Sequence, residues 1–310
     1  MKKIYYIAVV FAILFLAGCG DGIDLPGVNV ETDLNKIPLP DNNVNLEQVE
    51  LKPSTEPMLH EGLHTEEDFQ RIRDKKAAGE EPWISAYQLL VESQFSQKTA
   101  DTYPTEWIKR GVSGDENYMN AARGATIVYQ QALRWKIEQD DEYAAKAVEN
   151  LNKWVQTCVG VTGNTNLSLA AGLYGYEFAI AGELLRDYGG WDRADFAAFQ
   201  NWLLKVFYPA NDDFLKRHHD TNALHYWANW CLCNIAAKMA IGIVTDRRDI
   251  YNEGIGHLQT GDTNGRLRRA IYHDYAPDYN FAQWQESGRD QGHTLMCVGL
   301  MGVICQLAWS

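Results

Sequence analysis

From residue 118 onward, apolar residues recur three and four apart, and alternating strand-like stretches are scarce. This helical period constrains the fold more than any other feature of the chain. In Tyr118–Glu138 it places Ala121, Ala125, Val128, Ala132 and Trp135 on one stripe. Residues 141–159 read as the partner of that helix. Segments 167–188 and 194–207 form a second pair, 229–244 and 247–258 a third, and 289–309 opens another. Upstream, Thr65 followed by Glu66, Glu67 and Asp68 is a helix start, a capping hydroxyl ahead of first-turn acids. Helices joined by short connections pack as hairpins side by side. The expected fold is therefore all-α, an (α/α) toroid of helical hairpins over residues 58–310. A solenoid of helix pairs is the alternative, although no clean repeat marks one.

The N-terminus is a separate matter. Met1-Lys2-Lys3 precedes an apolar run over 4–17. That run falls short of the roughly 20 residues a bilayer span requires and fits the core of a secretion signal. It ends in Leu16-Ala17-Gly18-Cys19, which resembles a bacterial lipobox. That motif implies removal of residues 1–18 and lipidation of Cys19. The mature protein would then be tied to the outer membrane, facing the periplasm or the cell surface. Residues 19–57, rich in Asp, Asn, Glu, Val and Pro, read as a tether. The five remaining cysteines are an odd number for an exported chain, so at least one is unpaired. Most sit in apolar helical sequence as buried thiols, and no metal site is expected from them.

The net charge of −13 excludes a duplex nucleic-acid binder, which needs Lys and Arg against phosphates. Residues 214–293 nevertheless hold nine basic and nine acidic side chains and six of the eight histidines. A neutral, Arg- and His-bearing stretch in an acidic chain can host an anionic ligand. The ten tryptophans serve equally well as core filler or as platforms for sugar rings. Two clusters stand out in the neutral stretch. In the first, a helix reaching back to Asn222 would align Asn222, His225 and Asn229 on one stripe, next to Trp230. In the second, Glu286, Arg289, Asp290 and His293 share a face at the polar start of an apolar helix, flanked by Trp284, Gln285 and Gln291. A charged helix N-terminus explains any one of these groups; their density beside Trp284 favours a concave binding site.

At these residues the chain resembles the alginate lyase family of polysaccharide lyases, in its bacterial lipoprotein branch. The matching text is His60-Glu61-Gly62-Leu63-His64-Thr65 with Pro82-Trp83, then Ala132-Leu133-Arg134-Trp135-Lys136-Ile137. Ala228-Asn229-Trp230 leading to Ala240-Ile241-Gly242 follows, and finally Gln285-Glu286-Ser287-Gly288-Arg289-Asp290-Gln291-Gly292-His293-Thr294. The resemblance spans about residues 58–310. It implies an (α/α) toroid and β-elimination on uronate polymers without a redox cofactor. It also implies a further helix pair after Ser310, so the toroid is expected to be incomplete at its C-terminus, with an apolar patch beside 289–309. Many relatives carry Asn-His where this chain has Asn229-Trp230, which moves the expected general base to His225.

Elimination removes the C5 proton of a uronate and expels the 4-O-linked sugar. The substrate carboxylate must be held and the developing charge stabilised, roles that suit Asn229 and Arg289. His225 is the expected base. Tyr275, chosen from Tyr272, Tyr275 and Tyr279 beside Arg268 and Arg269, is the expected acid. Trp230, Trp284, Gln285, Glu286, Gln291, His293 and Arg269 are expected to bind substrate, an anionic polysaccharide or oligosaccharide. Two other functions compete: a glycoside hydrolase using Glu286 and Asp290, and a glycan-binding lipoprotein without catalysis.

Overall fold

The computed structural model describes residues 58, 62–275 and 282–309. The leader 1–18, Cys19, the tether 19–57, His60, Glu61 and Tyr279 lie outside the described residues.

The fold is all-α. Among the described residues, the helices of ten residues or more are α1 (Glu66–Ala77), α2 (Trp83–Glu92), α3 (Tyr118–Glu138), α4 (Asp141–Thr157), α5 (Leu167–Leu184), α6 (Arg193–Val206), α7 (Tyr208–Arg217), α8 (Ala228–Val244), α9 (Arg248–Thr260) and α10 (Gln291–Trp309). The expected pairs are α3 with α4, α5 with α6, and α8 with α9. Helix α7 was not foreseen. It follows α6 after Phe207, with Pro209 near its start, where a missing N–H costs little. The capping box of α1 forms as expected: Thr65 Oγ1 accepts from the Asp68 N–H at 3.1 Å, and Asp68 Oδ2 accepts from the Thr65 N–H at 3.0 Å.

Helices α3, α5, α8 and α10 pack in that order as an inner row, and α4, α7 and α9 lie against them. Of these, α5, α8 and α10 are apolar nearly all round. In α8 every residue except Trp230 is buried. Helix α4, by contrast, shows one buried face carrying Tyr143, Ala147, Leu151 and Trp154. Gly172 of α5 lets the row close up, because a Cβ there would stand 2.5 Å from Cys233 Sγ and 2.9 Å from the Cys233 carbonyl carbon of α8. Trp154, Phe178, Trp202 and Phe207 form the aromatic centre, with ring centroids 5.1–6.0 Å apart. Trp191 joins through Phe199.

Two small sheets interrupt the helices. Strands β1 (Trp107–Arg110) and β2 (Gly160–Gly163) pair in parallel, with Arg110 opposite Gly163. Parallel pairing needs a crossover, supplied here by α3 and α4. Gly163 sits at φ 142°, and a Cβ there would lie 1.7 Å from the Arg110 carbonyl oxygen. Strands β3 (Ile271–Asp274) and β4 (Ala282–Trp284) form an antiparallel ladder ahead of α10. Helix α10 is long and apolar enough to cross a membrane by length and composition, but here it packs on α8 through Cys297, Leu300, Ile304 and Leu307. Its other face leaves Leu295 and Trp309 exposed. The described cysteines are all free thiols; Cys158, Cys231, Cys233 and Cys297 are buried and Cys305 is exposed.

Candidate active site

The start of each inner helix faces the same end of the row. β1 leads into α3 and β2 into α5, and their parallel pairing sets those two helices running the same way. Ser168, the second residue of α5, meets His219 just ahead of α8, with Oγ to Nε2 3.0 Å. Gln285, just ahead of α10, accepts from the Ala228 N–H, the first of α8, at 3.1 Å. Unpaired N–H groups and the positive ends of the helix dipoles thus gather at one rim, a favourable place for anions. Trp227, Trp230 and Trp284 are at this rim and are not fully buried. Trp230 packs on Tyr226 at 4.7 Å.

At the joint of α8 and α10 lie Asn229, Glu286, Arg289, Asp290 and His293. Asn229 is buried and its side-chain Oδ1 has no hydrogen-bond partner. Glu286 is buried in a turn at φ 66°, also with one oxygen, Oε1, unpartnered. Its Oε2 is 3.4 Å from Arg289 Nη1. Burial pushes the Glu286 carboxyl above the usual range, and the nearby Arg289 and His293 only partly oppose that. Asp290 is the opposite case: the His293 backbone N–H and ring hold its carboxyl below the usual range. The ring contact joins His293 Nδ1 to Asp290 Oδ2 at 2.7 Å, which leaves Nε2 as the ring's other working atom. Cys297 closes the floor. Its thiol is pushed up to about 12 by burial and lies beside the Asn229 backbone and within electrostatic reach of Glu286.

Several expected site residues have other placements. His225 does not share a helical stripe with Asn229, because α8 begins only at Ala228. Asn222 instead folds into a turn, its Oδ1 accepting from the Leu224 N–H at 2.7 Å and its carbonyl from the His225 N–H at 3.0 Å. His225 is left exposed, its ring edge-on to Tyr226. Gln285 is buried and its amide is committed to the fold. Besides the Ala228 contact, Nε2 donates to Asn264 Oδ1 at 3.0 Å and to the Arg269 carbonyl at 2.8 Å. The Arg269 guanidinium turns to the Asp262 carbonyl. Tyr275 donates to Gln283 Oε1 across the β3–β4 ladder at 3.2 Å. Gln291 is exposed at the first turn of α10.

Three groups escaped the sequence reading. His219 belongs to a run of three left-handed residues, His218, His219 and Asp220, at φ 49°, 53° and 59°. Such strain marks a segment its surroundings hold in place. A second group lies between α3 and α5. His64 Nε2 meets Tyr129 Oη at 2.5 Å, and Tyr176 Oη meets Glu177 Oε1 at 3.5 Å. Burial lowers His64 to about 4 and raises Glu177 to about 8. The third is Arg110, stacked on Tyr118.

The sequence pattern that defines alginate lyases matches residues 72–291. The match covers well over half of the chain, and the chain belongs to the alginate lyase family. No curated protein matches it at a significant level.

Proposed function

We propose that the protein is a polysaccharide lyase that cleaves a uronate polymer, of the alginate or glucuronan kind, by β-elimination. The observation that carries this reading is the joint of α8 and α10. A buried carboxyl with raised affinity for its proton, an unsatisfied amide oxygen, an arginine and a carboxylate-oriented histidine meet there at converging helix starts.

In this reading the uronate carboxylate accepts from Arg289, the Asn229 side-chain N–H and a protonated Glu286, while the free Asn229 Oδ1 accepts from a sugar hydroxyl. A neutral Glu286 donates a hydrogen bond where an ionised one would repel the substrate. These contacts stabilise the negative charge that spreads into the carboxylate as the C5 proton leaves. His293 is the base: Asp290 accepts from its Nδ1 N–H, and Nε2 takes the C5 proton. The C5 electron pair forms the C4–C5 double bond, the C4–O bond breaks, and the leaving oxygen takes a proton that we assign to Tyr275. The base role thus passes from His225, which the loop before α8 exposes, to His293. The alternative of Glu286 and Asp290 as hydrolytic carboxylates fits less well. Arg289 lies 3.4 Å from one and 3.6 Å from the other, so its guanidinium occupies the place where a hydrolase holds sugar and water between its carboxyls. The leader and Cys19 support an exported, lipid-anchored protein acting on polysaccharide outside the cytoplasm.

Incubation with sodium alginate and with polyglucuronate tests the reading. A lyase produces a conjugated unsaturated uronate that absorbs in the ultraviolet. New reducing ends without that absorbance would make the protein a hydrolase, and neither signal would leave a binding protein.

A further inference from the structure

Arg110 closes β1 and lies with its guanidinium carbon 4.6 Å above the Tyr118 ring. Tyr118 opens α3 and stacks on Tyr174 of α5, centroids 6.5 Å apart and planes 8° from parallel. Other arginines of this fold lie on aromatic rings with a carboxylate in attendance. Arg134 covers Tyr143 and pairs with Glu138. Arg186 covers Phe196 and pairs with Glu183 at 2.8 Å. Among the described residues Arg110 has no such partner, and its Nη1 is shut from solvent with no acceptor. Glu116, close in sequence, directs its carboxylate to the Gly111 N–H at 2.5 Å. A buried guanidinium nitrogen without an acceptor is costly, and the cost is removed when a ligand supplies the anion.

The position of Arg110 suits such a ligand. It stands at the same rim as the starts of α3 and α5, whose dipoles also favour negative charge. The Cys233 thiol, in the first turns of α8, lies within electrostatic reach of both Arg110 and Cys297. Cys297 in turn borders Asn229 and Glu286. Arg110 and Arg289 at the α8–α10 joint are therefore two arginines on one rim, and a uronate polymer carries a carboxylate on every sugar. We propose that Arg110, seated on Tyr118, binds the carboxylate of a second uronate unit, so that the polymer runs along the helix starts from α10 toward α3. This rests on the proposed function and extends it to a site that favours polymer over single sugars.

The test compares wild type, R110Q and R110K on sodium alginate and polyglucuronate by ultraviolet absorbance. Titration calorimetry measures binding of the same polymers and of their carboxyl-reduced, neutral forms. R110Q should raise KM about tenfold, the worth of one charged hydrogen bond, with kcat within about twofold because the contact is made equally in ground and transition states. Its affinity for the uronate polymer should fall while that for the neutral form stays equal to wild type. R110K should fall between, keeping the charge and losing the planar stack. Unchanged KM and affinity in R110Q would overturn the inference, as would equal losses on charged and neutral polymer. If R110Q does not fold, R110K decides by the same criteria. A wild type that binds but does not cleave sinks the lyase reading alone, and Arg110 is then judged by binding. A wild type that binds neither polymer overturns both.

Discussion

Glu286 holds together the chemistry proposed for the α8–α10 joint. Its carboxyl is raised by burial and has an unpartnered oxygen, so it keeps its proton to a higher pH than a free carboxyl does. As pH rises through that raised value the proton is lost, the hydrogen bond to substrate is lost with it, and like charges face each other. Activity should therefore decline as pH rises through it. Glu286→Gln keeps a donor that does not titrate, and should retain much of the activity while flattening that decline. Glu286→Ala removes the donor and should lose activity at every pH. Profiles of kcat/KM against pH decide this, and an unaltered decline in Glu286→Gln would remove Glu286 from the mechanism. His293 is the sharper case. His293→Ala should lower kcat by about 10²–10⁴, the usual contribution of a positioned base, with little change in thermal midpoint because the ring is partly exposed. Asp290→Asn should cost less, since it leaves the base in place and weakens its orientation and the contact with Arg289.

At the scale of elements, packing decides which helices are indispensable. Helices α5 and α8 make the most extensive contact in the fold, and they do so across Gly172. Gly172→Ala would force its methyl against Cys233 and should destabilise by about 1–3 kcal/mol, as overpacked cores do; an unchanged denaturation midpoint would mean the helices separate freely. Lys238 joins α7, α8 and α9. It is fully buried, 2.7 Å from Asp212 and 2.5 Å from Glu253. Lys238→Ala leaves Asp212 with Lys216 alone and Glu253 without its cation, and should cost about 1.5–3 kcal/mol in chemical denaturation. The helices themselves were legible because their apolar period is local, as the bounds of α3, α8 and α9 illustrate. What decided the site was not local. Gln285 caps α8 through partners 21 and 57 residues away in sequence, and no spacing rule announces such a clasp. The extended backbone at Trp227 and the turn at Asn222 stopped α8 short of His225, although the spacing of Asn222, His225 and Asn229 suits a helix. Arg110 lies on a strand of four residues, outside the neutral stretch that drew attention to 214–293. Its significance comes from the acceptor it lacks, which only packing reveals.

For the molecule as a whole, two half-buried groups, His64 and Glu177, set opposite limits on stability against pH. His64 is lowered from its ordinary 6.5 to about 4 by burial. The folded state therefore resists its protonation, and the stability His64 contributes is complete above about 6.5 and lost as pH falls from there toward 4. Glu177 is raised from 4.5 to about 8, also by burial. Its contribution is complete below about 4.5 and lost as pH rises from there toward 8, since the folded chain must then hold a charge it has little means to solvate. Tyr176 Oη, at 3.5 Å, only partly compensates that charge, and Tyr129 beside it stays a neutral phenol, its hydroxyl pushed well above the usual range by burial. The two contributions oppose each other between about 4.5 and 6.5, so this pair alone yields a stability maximum on the acid side of neutral that falls away in both directions. Glu177→Gln removes the alkaline limit and keeps the acid one. The variant should match or fall slightly below wild type at pH 5 and exceed it at pH 8 to 9. Thermal midpoints of both proteins across that range are the measurement, and parallel curves would show that Glu177 meets solvent or a counter-charge and takes no part in the balance.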